Sequence, residues 1–263
     1  YEKINNCLIL AYSMVFYHNI DPVLLKIAGF EIRYYGLIIV LSLIIAYFML
    51  LYLAKKKKIN LPKEKIENLL FYAVLAGLIG ARLFIVFIYH PSYYLSNQLE
   101  IFKIWKGGVS FHGALLFGIL AVYLFCKKHK LKFLEIMDLL IIPTALGFAL
   151  GRIGNFLNGE LYGRITNVPW AVKFSGAEGF RHPSQLYESA KNFLIFFTLL
   201  FLNKKKHKPG FLLAIFLVMY SVLRFFIEFV REPEIYIGFL TMGQFLNILM
   251  FIAGIFLFYK IRK

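Results

Sequence analysis

Seven long apolar runs, separated by short polar connectors, set the pattern of the chain. They cover about Tyr34–Leu53, Ile66–Tyr89, Val109–Cys126, Phe133–Leu150, Leu186–Leu202, Gly210–Val230 and Met242–Tyr259. Each approaches the roughly 20 residues with which a helix crosses a hydrocarbon core. The pattern predicts an all-α membrane protein, a polytopic bundle of seven transmembrane helices in a single integral-membrane domain over residues 1–263. Leu8–Phe16 is apolar but too short to span, so it is read as lying along the surface. Asp21-Pro22 reads as a turn or a helix start.

The connectors fix an expected orientation. Lysine clusters follow the first run (Lys55 to Lys58), the third (Lys127, Lys128, Lys130, Lys132), the fifth (Lys204, Lys205, Lys206, Lys208) and the last (Lys260, Arg262, Lys263). In a seven-span bundle all four lie on one side, and the positive-inside rule makes that side cytoplasmic. The N-terminus is then outside and the C-terminus cytoplasmic. Basic residues of the opposite connectors have acidic neighbours, as Arg231 does in Glu232 and Glu234. No internal repeat is visible, which weighs against common transporter architectures.

Composition agrees. Of 263 residues 60% are hydrophobic and 17% charged, with 29 Phe and 17 Tyr, against roughly 25% charged in soluble domains. A net charge of +16 would suggest a nucleic-acid partner in a soluble chain. Here the lysines sit in connectors, so no nucleic acid is expected. Cys7 and Cys126 are far apart in apolar surroundings and imply neither a disulfide framework nor a metal site. No basic region with a small-residue cut site precedes the first run, so no cleavable signal is expected.

One polar stretch stands out. Gly151–Gly163, GRIGNFLNGELYG, holds Arg152, Asn155, Asn158, Glu160 and four glycines directly after the fourth run. It is expected to begin an outer-face polar segment, about 151–183, between spans four and five, whose glycines turn the backbone tightly. At about 1.5 Å per residue, Tyr35, Arg82, His112, Arg152, Arg224 and Glu228 all fall in the outer half of the bilayer. A charge at mid-bilayer costs roughly 2.5–3.5 kcal/mol on insertion scales. Arginines converging on a shared anion would offset that, and the guanidinium fork suits phosphate. Plainer readings stand beside this one. Arg82 is equally an interfacial anchor. Arg224 and Glu228 are also a possible i,i+4 ion pair, on one face with Tyr220. Lys191 reads as snorkelling or structural, and Glu135 and Asp138 suit a helix N-terminus. His112, in GGVSFHGAL, is either a bonded core residue or functional.

These segments resemble the prolipoprotein diacylglyceryl transferase family. GRIGNFLNGELYGR carries the resemblance, with WKGGVSFHG at 105–113, RHPSQLYE at 181–188, YSVLRFFIEFVREPE at 220–234, IRYYG at 32–36 and GAR at 80–82. It extends from about residue 20 to the end. Ala114 stands where the family often has a second glycine, and Glu234 where it usually has aspartate.

The resemblance implies an enzyme of a bacterial-type inner membrane, multi-pass, with its active site toward the outer face. Its reaction would move a diacylglyceryl group from phosphatidylglycerol to the lipobox cysteine thiol of a prolipoprotein signal peptide, releasing glycerol phosphate, without cofactor or metal. The site residues carried over are Tyr35, His112, Gly113, Arg152, Asn155, Glu160, Gly163, Tyr220, Arg224 and Glu228. Read as chemistry, His112 is the candidate base for the thiol or a head-group ligand. Arg152 and Arg224 would hold the phosphate, with Asn155 and Asn158 adding neutral hydrogen bonds. Glu160 and Glu228 would orient the arginines, and Tyr35 and Tyr220 the head group. Gly113 flanks the base, and Gly163 would allow close approach to lipid. Two rivals remain: an anion or lipid transporter, which needs polar residues through both halves of the bilayer, and a non-catalytic lipid-binding membrane protein.

Overall fold

The computed structural model describes residues 16–27, 29–103, 107–233 and 235–263. Cys7, residues 8–15 of the short apolar run, Trp105 and Lys106 of the WKGGVSFHG motif, and Glu234 lie outside the described residues. The helices are α1 (Tyr34–Lys57), α2 (Lys63–Phe84), α3 (Pro91–Ser96), α4 (Phe111–Lys128), α5 (Phe133–Leu157), α6 (Ser184–Leu202), α7 (Phe211–Ile227) and α8 (Met242–Arg262). Helix α2 continues to Tyr89 as a π-helical turn, and α7 to Val230 as a 3-10 turn.

Among the described residues six helices are long and apolar enough to cross a membrane: α1, α2 with its continuation, α4, α5, α7 with its continuation, and α8. Helix α6, expected as the fifth span, differs in kind. Its buried face is polar over the first half, with Ser184, Gln185, Glu188, Ser189, Lys191 and Asn192 all buried, and apolar beyond it at Ile195, Phe196 and Leu199. Its exposed face is an apolar stripe of Leu186, Ala190, Leu194, Phe197 and Phe201 at steps of three and four.

Local chemistry sets the helix ends. Ser110 caps α4, its Oγ accepting from the Gly113 N–H at 3.3 Å. Thr241 and Gln244 form a capping box at the start of α8. Lysines fill the last turns of α1 and α4, where they complement the helix dipole.

Two expectations are corrected. Helix α5 does not stop at Leu150 but runs through GRIGNFL to Leu157, so Gly151 and Gly154 are helical and make no turn. Gly154 is a crossing point, since a Cβ there would lie 2.8 Å from Tyr35 Cδ2. The turn comes at Gly159, at φ +68°. Nor is the chain wholly helical. Strands β1 (Phe16–His18) and β4 (Val172–Phe174) pair in parallel, while β2 (Val23–Ile27) with β3 (Phe30–Arg33) and β5 (Tyr236–Ile237) with β6 (Leu240–Thr241) are antiparallel. These segments are too short to show a period-2 pattern, and pairing satisfies backbone groups that no helix takes up.

The chain divides into two compact units, residues 47–139 and residues 1–46 with 140–263. In the first, α2 and α4 cross at glycines: a Cβ on Gly80 would run into Phe117, and one on Gly113 into the Gly80 carbonyl. Small residues of this kind let helix backbones approach without solvent to drive them together. In the second, the 151–183 segment holds a small apolar core of its own. Val172, Phe174 and Ala177 form a small core with Phe156 and Tyr162 against it, and the buried His18 ring packs on Phe156 and Phe174.

Candidate active site

Glu188, on the buried face of α6, gathers the cations of the second unit. Its side chain is 2% exposed. Oε1 lies 2.7 Å from an Arg231 Nη and 3.5 Å from Arg224 Nε. Oε2 lies 3.3 Å from Arg152 Nε and 3.5 Å from Lys191 Nζ. Arg152 comes from the last turns of α5 and Arg224 from the last turn of α7; Arg231 follows the 3-10 turn. Arginines from separate helices thus meet at one carboxylate.

Glu228 is the second anion of the group. Arg224 donates to its Oε2 and Thr241 Oγ1 to its Oε1, the latter at 3.0 Å. The carboxylate therefore sits at the N-terminus of α8, where the dipole favours it. Gly243 makes room, because a Cβ there would lie 2.8 Å from the carboxylate carbon. Four cations share two carboxylates, so the cluster keeps positive charge in surroundings that penalise it.

Lys191 does not snorkel. Its side chain is 2% exposed, and Nζ lies over the Tyr220 ring at 3.7 Å from the centroid. Tyr220 also packs on Phe216 and Phe148. Buried Gln185 Oε1, Glu188 Oε2, Lys191 Nζ and Asn192 Oδ1, all on one face of α6, have no hydrogen-bond partner.

The neutral donors are arranged otherwise than expected. Asn155 Nδ2 donates to Glu160 Oε1 at 2.8 Å and Asn158 Nδ2 to the same oxygen at 3.4 Å. Glu160 thus organises the asparagines rather than the arginines, because the α5 C-terminus folds back within five residues. Its carbonyl accepts from Gln185 Nε2 at 2.6 Å. Tyr35 opens α1 beside Gly154, within electrostatic reach of Glu160 and Arg152.

Gly163 closely approaches backbone. A Cβ there would strike the Val230 carbonyl and come within 2.9 Å of His182 Cβ. Its N–H donates to the His182 carbonyl at 2.9 Å, and it bridges to Arg231. The glycine therefore lets the 163–164 segment thread between Arg231 and His182 and holds Arg231 against the cluster. Burial pushes the His182 pKa down and favours the neutral ring, whose Nδ1 is 3.2 Å from the Tyr187 hydroxyl. Arg181 locks the same region, donating to the Glu178 carbonyl at 2.9 Å and to Glu232 Oε2 at 2.9 Å.

His112, Gly113 and Arg82 belong to the other unit, residues 47–139. His112 is the second residue of α4, exposed, with Nδ1 3.4 Å from the Tyr89 hydroxyl. Gly113 is buried in the α2–α4 crossing. Arg82 is spent on backbone carbonyls of its own unit. It is 7% exposed and donates to the carbonyls of Ile101 (2.9 Å), Gly107 (2.9 Å), Gly108 (3.0 Å) and Glu100. That commits four of the five guanidinium N–H groups to shaping the loop before α4.

Glu188 and Arg231 were missed in the sequence. Glu188 had a signal, a carboxylate three residues before a lysine in an apolar helix, but hydropathy does not say which cations reach it. Arg231 was masked by Glu232 and Glu234, neighbours in sequence that suggested a solvated loop.

Over residues 22–260 the chain matches the family model for prolipoprotein diacylglyceryl transferase. It is similar to a phosphatidylglycerol–prolipoprotein diacylglyceryl transferase of Ehrlichia ruminantium (strain Welgevonden), 43% identical over 250 residues, covering 90% of this chain and 95% of the relative. Proteins of the same name from Rickettsia rickettsii (strain Sheila Smith) and Rickettsia canadensis (strain McKiel) are each 42% identical, over 248 and 245 residues. These matches cover 91% and 90% of this chain, and 96% and 95% of the relatives.

Proposed function

We infer, from the premise that the chain belongs to the prolipoprotein diacylglyceryl transferase family, that it transfers a diacylglyceryl group from phosphatidylglycerol to prolipoproteins. The geometric observation that supports this reading is the convergence of Arg152, Arg224 and Arg231 on buried Glu188 with cations in excess. Such a cluster suits an anionic head group.

The acceptor is the thiol of the lipobox cysteine in the signal peptide. Its thiolate, the nucleophilic form, attacks the glyceryl carbon that bears the phosphate. A C–S bond forms, the C–O bond breaks, and the electron pair leaves on glycerol phosphate. Arg152 and Arg224 bind the phosphate through the N–H groups that Glu188 and Glu228 do not use. Asn155 and Asn158, held by Glu160, Gly163 through Arg231, and Tyr35, Tyr220 and Glu228 complete the head-group site. His112 takes the thiol proton, with Gly113 admitting the close helix crossing that positions it. The chain crosses the bacterial inner membrane seven times, with α6 as the fifth span, N-terminus outside and the site toward the outer face. Lipid and signal helix enter sideways from the bilayer.

The test is purified protein in phosphatidylglycerol vesicles with a lipobox peptide, followed by mass spectrometry. A thioether product heavier by one diacylglyceryl group is expected. Folded protein that yields no such product would end the reading. The same assay on His112→Asn checks the base: slowed transfer with retained lipid binding supports it, and unchanged turnover removes it.

A further inference from the structure

We propose that Lys191 is a positioning residue that matches the arginine cluster to the departing glycerol phosphate rather than to phosphatidylglycerol. The inference rests on the transferase reading above. Lys191 Nζ and Arg152 Nε address the same oxygen, Glu188 Oε2, at 3.5 and 3.3 Å. The other oxygen already has Arg231 and Arg224. Three guanidiniums around one carboxylate need no fourth cation for neutrality, so Lys191 is surplus to the ion-pair requirement. A surplus charge at 2% exposure is costly unless an anion offsets it. By taking up Glu188 charge, Lys191 leaves the Arg152 guanidinium uncompensated toward a ligand.

The charge count then decides which ligand. With Lys191 the group has four cations against Glu188 and Glu228, a surplus of two; without it, of one. Phosphatidylglycerol is a phosphodiester with one negative charge. During transfer the thiolate charge moves onto the phosphate as the C–O bond breaks. The leaving group is a phosphate monoester carrying about −1.5 to −2 at neutral pH. A surplus of one suits the ground state, and a surplus of two suits the transition state and product. Only the difference accelerates chemistry. The 3.7 Å contact of Nζ with the Tyr220 ring stabilises the ammonium where no hydrogen bond does.

The experiment compares wild type, Lys191→Gln and Lys191→Arg in the transfer assay, with thermal unfolding as a folding control. A unit charge about 6 Å away at an effective dielectric near 20 is worth about a hundredfold. The expected result is therefore a fall of about tenfold to a hundredfold in kcat for Lys191→Gln, beyond a rise in KM for phosphatidylglycerol of no more than the same order, and recovery of both in Lys191→Arg. A raised KM with unchanged kcat, or no change in either, overturns the proposal. If Lys191→Gln does not fold, wild type alone carries the test: glycerol phosphate should inhibit more tightly than the diester glycerophosphoglycerol. Equal inhibition overturns it. Wild type that forms no thioether defeats the transferase reading itself, whereas active wild type with an indifferent Lys191→Gln defeats only this inference.

Discussion

Removing the charge of Glu188 while keeping its shape would leave Arg152, Arg231 and Lys191 facing a neutral amide in a site nearly closed to solvent. Breaking one side of a buried ion cluster costs about 3–5 kcal/mol. Glu188→Gln should therefore lower unfolding stability in detergent by that order and abolish transfer; a change below about 1 kcal/mol would show that the cations do not depend on it. At this scale the sequence was partly legible. Arg152, Arg224 and Glu228 could be singled out because each is a charge in or beside an apolar helix. Their partner could not, since several carboxylates were available. Arg82 looked the same in sequence and serves a different end, because a guanidinium takes backbone carbonyls as readily as phosphate.

Helix α6 shows why an element can be located and still misjudged. Its length was visible, yet the residues that weaken its apolar character, Glu188, Lys191 and Asn192, are the ones it buries. Leu194, Phe197 and Phe201 are exposed on the other side. Hydropathy averages over both faces, so it reports a largely apolar segment and hides which residues face inward. The α2–α4 crossing offers a test at this scale. Gly113→Ala would place a methyl against the Gly80 carbonyl, whereas a Cβ on Gly77 would lie 3.5 Å from the Ala114 carbonyl, an ordinary contact. We expect Gly113→Ala to destabilise by about 1–3 kcal/mol through overpacking. Gly77→Ala should be neutral or stabilising by up to about 1 kcal/mol. Equal thermal shifts for the two would mean that the helices do not meet at Gly113.

For the whole molecule, the lysine connectors predict one cytoplasmic side. In a background without native cysteines, a membrane-impermeant thiol reagent should label Phe239→Cys, at the 92% exposed tip between β5 and β6, in intact cells. It should reach Lys206→Cys only after lysis; the reverse pattern would invert the topology. Six apolar helices of membrane length and their approximate limits are legible in the sequence, because the bilayer acts on each segment separately and reads little beyond length, hydropathy and flanking charge. The continuation of α5 to Leu157, the folded 151–183 segment and the gathering of four cations at Glu188 were decided by tertiary structure. Each depends on which buried polar group finds which partner, and inside a low-dielectric medium that choice is made by three-dimensional proximity across helices far apart in the chain.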